Sequence, residues 1–360
     1  MSPATNFKDD EIVAPPPPDG TPMTLYEGSS QFQHWRFSRS KLAAMRTTLS
    51  TAAVAAVREA IERDNPGSSS EITFLTPQDE HTLVKLYIGR VGGICAALAF
   101  PEEVEATAIS YIKRFYLKNT AMDWHPKDVM LTALFLATKT TNNPVALDEY
   151  AKRCKTTPAD ILRIEFLLAQ SLRFEFAVWH AHRALWGMFL DLQILPDVEP
   201  DVVKLAYKKA LDHARASRLT DAELIYTPSQ IALACLLLAN PMLARQWARA
   251  KSEEAAVAII EPIVEMVERD GVQPDIGLVT TIDRNLKLCK NPEKIPGSRA
   301  YLARQAEQEA AAAAKRAKKA QDTRAVMEAN NPFGDDLGEG SGDGPSLFKP
   351  GEGAETDDED

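Results

Sequence analysis

Between Pro126 and Lys139 the chain has almost no polar position: from Val129 to Ala137 only Thr132 is not apolar. A helix on that stretch has no wet face, so it belongs at the centre of a bundle or in a membrane. Nine residues fall far short of the roughly 20 needed to cross a bilayer, which leaves a core helix wrapped by others. The pattern recurs 102 residues on, from Pro228 to Ala239, where Val129 falls on Ile231, Leu131 on Leu233, Ala133 on Cys235 and Leu134 on Leu236. Upstream, Ile109 falls on Leu211, Leu117 on Leu219 and Met122 on Leu224 without a gap. The register predicts two copies of one helical core.

The helix starts repeat one device. Thr76-Pro77-Gln78-Asp79, Thr157-Pro158-Ala159-Asp160 and Thr227-Pro228-Ser229-Gln230 each set a hydroxyl cap before a proline, with an acid or amide two residues after it. The hydroxyl accepts an orphan N–H, and proline gives up a donor that had no partner in the first turn. These signals and the 3.6-residue period predict helices near 40–63, 77–98, 102–118, 126–140, 144–154 and 158–174. In the second half they predict helices near 179–193, 200–217, 228–239, 242–250 and 252–269. Ahead of them, His34-Trp35-Arg36-Phe37-Ser38 places two aromatics beside a cap, a segment suited to docking on the fold. Residues 274–296 show a mixed pattern, and 299–328 predict a helix formed by Ala, Glu, Gln, Lys and Arg propensity rather than by core burial. Strand alternation is absent. The fold class is all-α.

Composition changes this picture only at the ends. The chain of 360 residues carries a formal charge of -10, but residues 331–360 hold ten acids and one Lys, leaving 41 acids and 40 bases elsewhere. The folded part is therefore neither a polycation for nucleic acid nor a strongly acidic surface. The acidic tail and the Pro-rich residues 1–24 read as disordered. Four cysteines lie far apart without a CxxC spacing, as expected of reduced thiols rather than a disulfide framework or zinc site. No secretory signal opens the sequence, and an intracellular protein without a membrane span is expected.

Enzyme chemistry finds no footing. There is no Gly-x-Ser-x-Gly elbow and no His-Glu-x-x-His; the alternating glycines from Gly338 to Gly344 have neither strand nor helix beside them. His180 and His182, two apart in a predicted helix, point to different sides. Neither catalytic residues nor a metal or cofactor site is expected. Two charges do stand out. In the helix near 158–174, Ile161, Ile164, Leu168 and Leu172 mark the core face, and Glu165 falls inside it, so it must pair, stay neutral or lie at a contact surface. Lys139 closes the central helix, where carbonyl ends favour a cation. An internal Lys139–Glu165 pair or a grip on a partner's backbone both fit. Lys113 projects between Ile109 and Leu117 while Thr107, Ser110, Arg114 and Lys118 form a polar arc; its stem is expected to snorkel to water. Phe174 and Phe176 flank Glu175 at a helix end, as core plugs or as interface aromatics.

A tandem five-helix domain with Tyr111-Ile112-Lys113-Arg114-Phe115 in its second helix and Leu136-Ala137-Thr138-Lys139 ending its third resembles a pair of cyclin boxes. The resemblance narrows to the cyclin H type through Ser29-Ser30-Gln31, His34-Trp35, Phe37-Ser38, Lys113-Arg114-Phe115-Tyr116-Leu117, His125-Pro126 and Tyr226-Thr227-Pro228-Ser229-Gln230-Ile231-Ala232-Leu233. It covers about residues 25–270. The resemblance implies an N-terminal segment and helix at 25–66, a kinase-binding first box at 67–176, a second box at 177–272 and a C-terminal helical segment at 273–330.

The resemblance also implies the function of a non-enzymatic, nuclear regulatory subunit of a cyclin-dependent kinase 7-type kinase. Such a subunit works in the kinase-activating module of transcription factor IIH, which phosphorylates the RNA polymerase II tail and activates other cyclin-dependent kinases. Further implied partners are a RING-finger assembly factor, which the second box is expected to meet, and indirectly the factor IIH core, with no direct nucleic acid and no membrane. In cyclins a Lys ending helix 3 and a Glu in helix 5 bind the kinase; those positions are Lys139 and Glu165, and the family's contact aromatics map to Phe174 and Phe176. Two features depart from cell-cycle cyclins: their internal Arg–Asp bridge is replaced by Thr82 and Lys113, and their substrate-docking patch has no match at His81-Thr82-Leu83-Val84-Lys85. Two rival readings stay open. A cyclin-fold DNA-binding factor of the transcription factor IIB kind would need a zinc ribbon and a basic face, and neither is evident. A non-kinase helical adaptor differs in failing to stimulate a kinase.

Overall fold

The computed structural model describes residues 24–329 apart from Asp197. The segments expected to be disordered, 1–24 and 331–360, fall outside the described residues except for Thr24. The chain divides into a unit ending at Arg304 and another beginning at Gln305. All regular structure among the described residues is helical. In the first unit α1 (Ser30–His34) and α2 (Arg39–Asp64) precede α3 (Pro77–Leu98), α4 (Glu102–Phe115), α5 (Pro126–Thr140), α6 (Leu147–Cys154) and α7 (Pro158–Ser171). Next come α8 (Ala181–Gln193), α9 (Pro200–Ser217), α10 (Ala222–Ile225), α11 (Pro228–Ala239), α12 (Pro241–Ala250), α13 (Glu254–Ile259), α14 (Glu261–Asp270) and α15 (Ile276–Leu288). The last helix, α16 (Arg299–Ala329), starts in the first unit and makes up the described part of the second, where residues 305–323 are exposed all round.

The caps work as the sequence implies. Thr76 accepts from the Asp79 amide at 3.1 Å while Asp79 reaches back to the Thr76 amide at 3.0 Å, and Thr227 and Gln230 form the same reciprocal box. Two hydrophobic cores result. Every residue of α5 from Val129 to Thr138 is buried in the first, and α11 is buried from Ile231 to Leu236 in the second. Each buried Leu or Phe of α5 contributes about 1.5–3 kcal/mol by leaving water.

Some boundaries differ. α4 and α7 stop three residues short of the expected 118 and 174 because tighter turns succeed them; the Leu117 amide, for example, bonds the Arg114 carbonyl at 3.3 Å. The single helix expected over 252–269 is broken at Ile260, since Pro262 has no amide to continue the ladder. The mixed stretch 274–296 contains α15, capped by Asp275, whose side chain accepts from the Leu278 amide at 2.7 Å. Val279, Ile282, Leu286 and the adjoining Cys289 are buried in the first core, so this C-terminal stretch completes a domain that begins 200 residues earlier in sequence order.

The largest correction concerns α4. Of its polar arc only Lys118 stays exposed: Thr107, Ser110 and Arg114 are buried, as is Lys113 beside them, where the second half packs on the first. Thr107 Oγ1 lies 2.9 Å from His180 Nε2, and Ser110 donates to Glu223 at 2.7 Å. Lys113 does not snorkel; its ammonium donates to the Thr220 carbonyl at 2.7 Å and pairs with Glu223 at 3.1 Å. The bridge of cell-cycle cyclins is thus absent, and the lysine in its place ties one core to the other. Beside it Arg218 reaches Glu102 at 2.6 Å and Glu105 at 3.0 Å. Burial alone would raise the Glu102 carboxyl, but hydrogen bonds from Arg215 and Arg218 outweigh it and hold it below the usual range. His180 and His182 do not diverge either. His180 caps α8 in extended conformation, outside the helical period, and the two rings stack at 5.2 Å. Burial holds His180 well below its ordinary value, and burial together with the Arg218 charge pushes His182 down to about 4.

Candidate functional site

α5 and α7 pack together, which brings the end of one beside the middle of the other. Lys139, in the last turn of α5, forms an ion pair with Glu165 of α7. The ammonium side chain keeps 41% of its surface exposed and the carboxylate 19%, so the pair sits at the rim of the core rather than within it. Lys139 Nζ also lies 4.7 Å from the centroid of the Phe135 ring, which orients the lysine over the end of its own helix. Exposed pairs add only about 0–1 kcal/mol to stability. The fold therefore gains little from this pair, and its position inside the apolar face of α7 is not explained by structural need.

Around the pair the surface is apolar. Leu162 and Phe166 lie three residues before and one after Glu165, on one stripe of α7, and both are exposed, Phe166 by 66%. Phe174 is 56% exposed, with its ring 6.3 Å from Phe166 on one side and 6.3 Å from Phe176 on the other. Phe176 turns inward instead, its ring 6.2 Å from buried Tyr111, whose hydroxyl donates to the Phe176 carbonyl at 2.7 Å. Of the four residues singled out in sequence, Lys139 and Glu165 pair, Phe174 stands exposed against Phe166, the neighbour of Glu165 in sequence, and Phe176 anchors the loop. Leu162 and Phe166 were missed. The signal was present: they widen the apolar arc of α7 beyond the Ile161, Ile164, Leu168 and Leu172 face that the core uses.

The loop bearing Phe174 is held in an unusual backbone. α7 ends in a Schellman turn, with the Phe174 amide on the Ala169 carbonyl at 2.9 Å and the Arg173 amide on the Gln170 carbonyl at 2.9 Å. Glycine normally supplies the left-handed residue of that turn, yet here Arg173 has φ 57° and Phe174 φ 59°. Each costs roughly 1 kcal/mol or more relative to a right-handed backbone. The next residues are tied down: Glu175 accepts from Trp35 Nε1 at 2.6 Å and pairs with His34 Nδ1 at 2.8 Å, and the Gln31 side-chain amide holds the backbone of Trp179 from both sides. The aromatic segment expected to dock does so, with Trp35 buried against Leu42, Leu117 and Leu224.

The matching positions of the second copy lack this chemistry. Pro241 opens α12 where Lys139 closes α5, and Val267 is buried in the core where Glu165 stands at the surface. On α3, where a substrate-docking patch would lie, Leu83 and Val84 are buried and Lys85 donates to the Asp270 carbonyl at 2.5 Å. Among the described residues no cluster of three or more His, Cys, Asp or Glu could hold a metal, no helix is long and apolar enough to cross a membrane, and the four cysteines are free thiols.

Comparison with known proteins agrees with this geometry. The family model for the cyclin N-terminal domain matches residues 86–177, and that for the cyclin C-terminal domain matches residues 180–272. The chain is 30% identical over 317 residues to cyclin mcs2 of Schizosaccharomyces pombe, covering 86% of this chain and 98% of that protein. It is 34% identical to a putative cyclin-H of Dictyostelium discoideum, covering 59% of this chain and 75% of the other. Among solved structures, a chain of the CAK complex of Chaetomium thermophilum bound to ATP-gamma-S superposes with a TM-score of 0.70 at 30% identity, covering 88% of this chain and 98% of that one. A chain of the yeast TFIIK complex of Kin28, Ccl1 and Tfb3 superposes with a TM-score of 0.57 at 30% identity, covering 67% and 100%. With both boxes matched and a relative covered almost end to end, the chain belongs to the cyclin family, in its cyclin H type.

Proposed function

We propose that this chain is the regulatory subunit of a cyclin-dependent kinase 7-type kinase in the transcription factor IIH module, and that it binds that kinase through Lys139, Glu165, Leu162, Phe166 and Phe174. The observation that carries the site is the Lys139–Glu165 pair, which adds little to the fold yet sits amid exposed apolar side chains. Phe176 serves the same face from below. The chain performs no chemistry itself. A preformed rigid surface that fits the mobile regulatory helix of the kinase only in its active orientation shifts the population toward that state. Moving it from 1:99 to 99:1 takes about 5.5 kcal/mol of differential affinity, a demand that several desolvated contacts can meet.

The domain division we propose is a first box at 67–176 and a second at 177–272, supported by the change from one hydrophobic core to the other between Val178 and Leu185. The second box carries Trp186 and Leu190 on one stripe of α8, continued by Ile194 just past its end, all exposed, a surface suited to the RING-finger third subunit. A place in transcription implies the nucleus, with phosphorylation of the RNA polymerase II tail and activation of other cyclin-dependent kinases as the outputs of the complex.

The test is stimulation of the isolated kinase subunit on a polymerase-tail peptide by the full chain. Strong stimulation is expected, lost with Glu165→Ala. Absence of stimulation by the wild-type chain would remove the kinase reading in favour of a helical adaptor.

A further inference from the structure

We infer that Glu175 is a positioning residue for the kinase contact: by tying the loop after α7 to the N-terminal segment it holds Phe174 outward. This rests on the kinase-binding reading and deepens it. Phe174 stands in left-handed backbone beside Arg173, also left-handed, a pair of conformations that L side chains avoid when free. The Schellman hydrogen bonds fix the loop on its helix side. On the other side the first restraint is the Glu175 carboxylate, whose two oxygens take His34 Nδ1 at 2.8 Å and Trp35 Nε1 at 2.6 Å, with Arg173 of the loop itself further off at 3.6 Å. Its carbonyl accepts from Arg114 at 3.3 Å, and Arg114 stacks over the Trp35 ring at 4.9 Å. The residue next to the exposed aromatic thus points into the protein and grips a segment 140 residues earlier in the chain. The arrangement makes the N-terminal segment a splint: His34 and Trp35 together decide whether Phe174 is presented.

If the splint is released, the strained loop relaxes and the binding-competent fraction falls. A fall to about one tenth raises the apparent Kd about tenfold. The experiment is a double-mutant cycle on the full chain, with kinase affinity and thermal midpoint measured together. Glu175→Ala is expected to weaken kinase binding about tenfold in the wild-type background and to have no further effect in a Phe174→Ala background, while the thermal midpoint falls by the same amount in both. Trp35→Phe keeps the buried ring and removes only the indole N–H, so it tests the restraint even if Glu175→Ala fails to fold; it should show a smaller loss that also vanishes with Phe174→Ala. Equal losses of affinity in both backgrounds would overturn the inference and leave the kinase face standing. A neutral Phe174→Ala would also overturn the inference and take Phe174 out of the kinase face, because the aromatic would then not touch the kinase.

Discussion

Lys113 gives the sharpest test of how the two boxes are joined. Its side chain is 6% exposed and its ammonium is shared between the Thr220 carbonyl and Glu223, which also takes the Ser110 hydroxyl. Replacing it with Met keeps the stem and volume but strips both partners. Removing one member of a fully buried ion pair costs about 3–5 kcal/mol. Here the Glu223 side chain keeps 21% of its surface, so water recovers part of that, and we expect a loss of about 2–3 kcal/mol. At about 2–4 °C per kcal/mol for a chain of this order of size, the thermal midpoint should fall by roughly 5–10 °C. Adding Glu223→Gln removes the stranded charge, so the double variant should be more stable than Lys113→Met alone. Equilibrium urea unfolding of the full chain, with calorimetry, measures both quantities. A Lys113→Met protein as stable as wild type, or a double variant no better than the single, would refute the argument and restore a solvated lysine.

Other consequences are open to direct measurement. His81, pushed down to about 4 by burial first and by Arg46 next, and likewise His180 and His182, stay neutral in the fold while the unfolded chain takes up protons below its pKa of about 6.5. Stability is therefore lost as pH falls from about 6.5 toward 4. Glu80, raised to about 7 by burial, works in the opposite sense, binding its proton in the fold before the unfolded chain does. Each of these three histidines forfeits up to about 1.3 kcal/mol between pH 7.5 and 5.5, and Glu80 returns about 2 kcal/mol, for a net loss of up to about 2 kcal/mol. Urea unfolding of Glu80→Gln should show a steeper acid loss than wild type; a shallower one would reverse the assignment. Leu286→Ala in α15 should cost about 2–5 kcal/mol of cooperative stability, because that side chain fills the first core; mere local fraying by hydrogen exchange would contradict it. Cys95, Cys235 and Cys289 are buried with thiols pushed up by burial, so a disulfide reagent should label native protein at Cys154 first and the other three only on unfolding.

Local signals were readable in the sequence wherever they decide the outcome. The Thr-Pro caps set helix starts to the residue, and the apolar runs at Val129 and Ile231 located both cores. Glu165 was legible because a charge on an apolar face is a conflict visible on a helical wheel, and Lys139 because it closes a helix that is apolar all round. Packing between distant segments was not legible. The polar arc of α4 looks solvated until α8 and α10 arrive more than seventy residues later, carrying His180 and Glu223 to meet it. α15 was obscured by Gly277 and the β-branched Val279, Thr280, Thr281 and Ile282, whose weak helix propensity is overridden by burial against α3. The left-handed Arg173 and Phe174 could not be foreseen, since no glycine marks the turn.

The central claim is that the first box grips a kinase through a pair that its fold does not need. The direct measurement is the affinity of the full chain for the kinase subunit with Lys139→Ala and Glu165→Ala combined, beside its thermal midpoint. The account requires an affinity loss of at least about tenfold, or 1.4 kcal/mol, with the midpoint changed by no more than about 2 °C, as befits an exposed pair. A folded double variant that binds the kinase as tightly as wild type would contradict it.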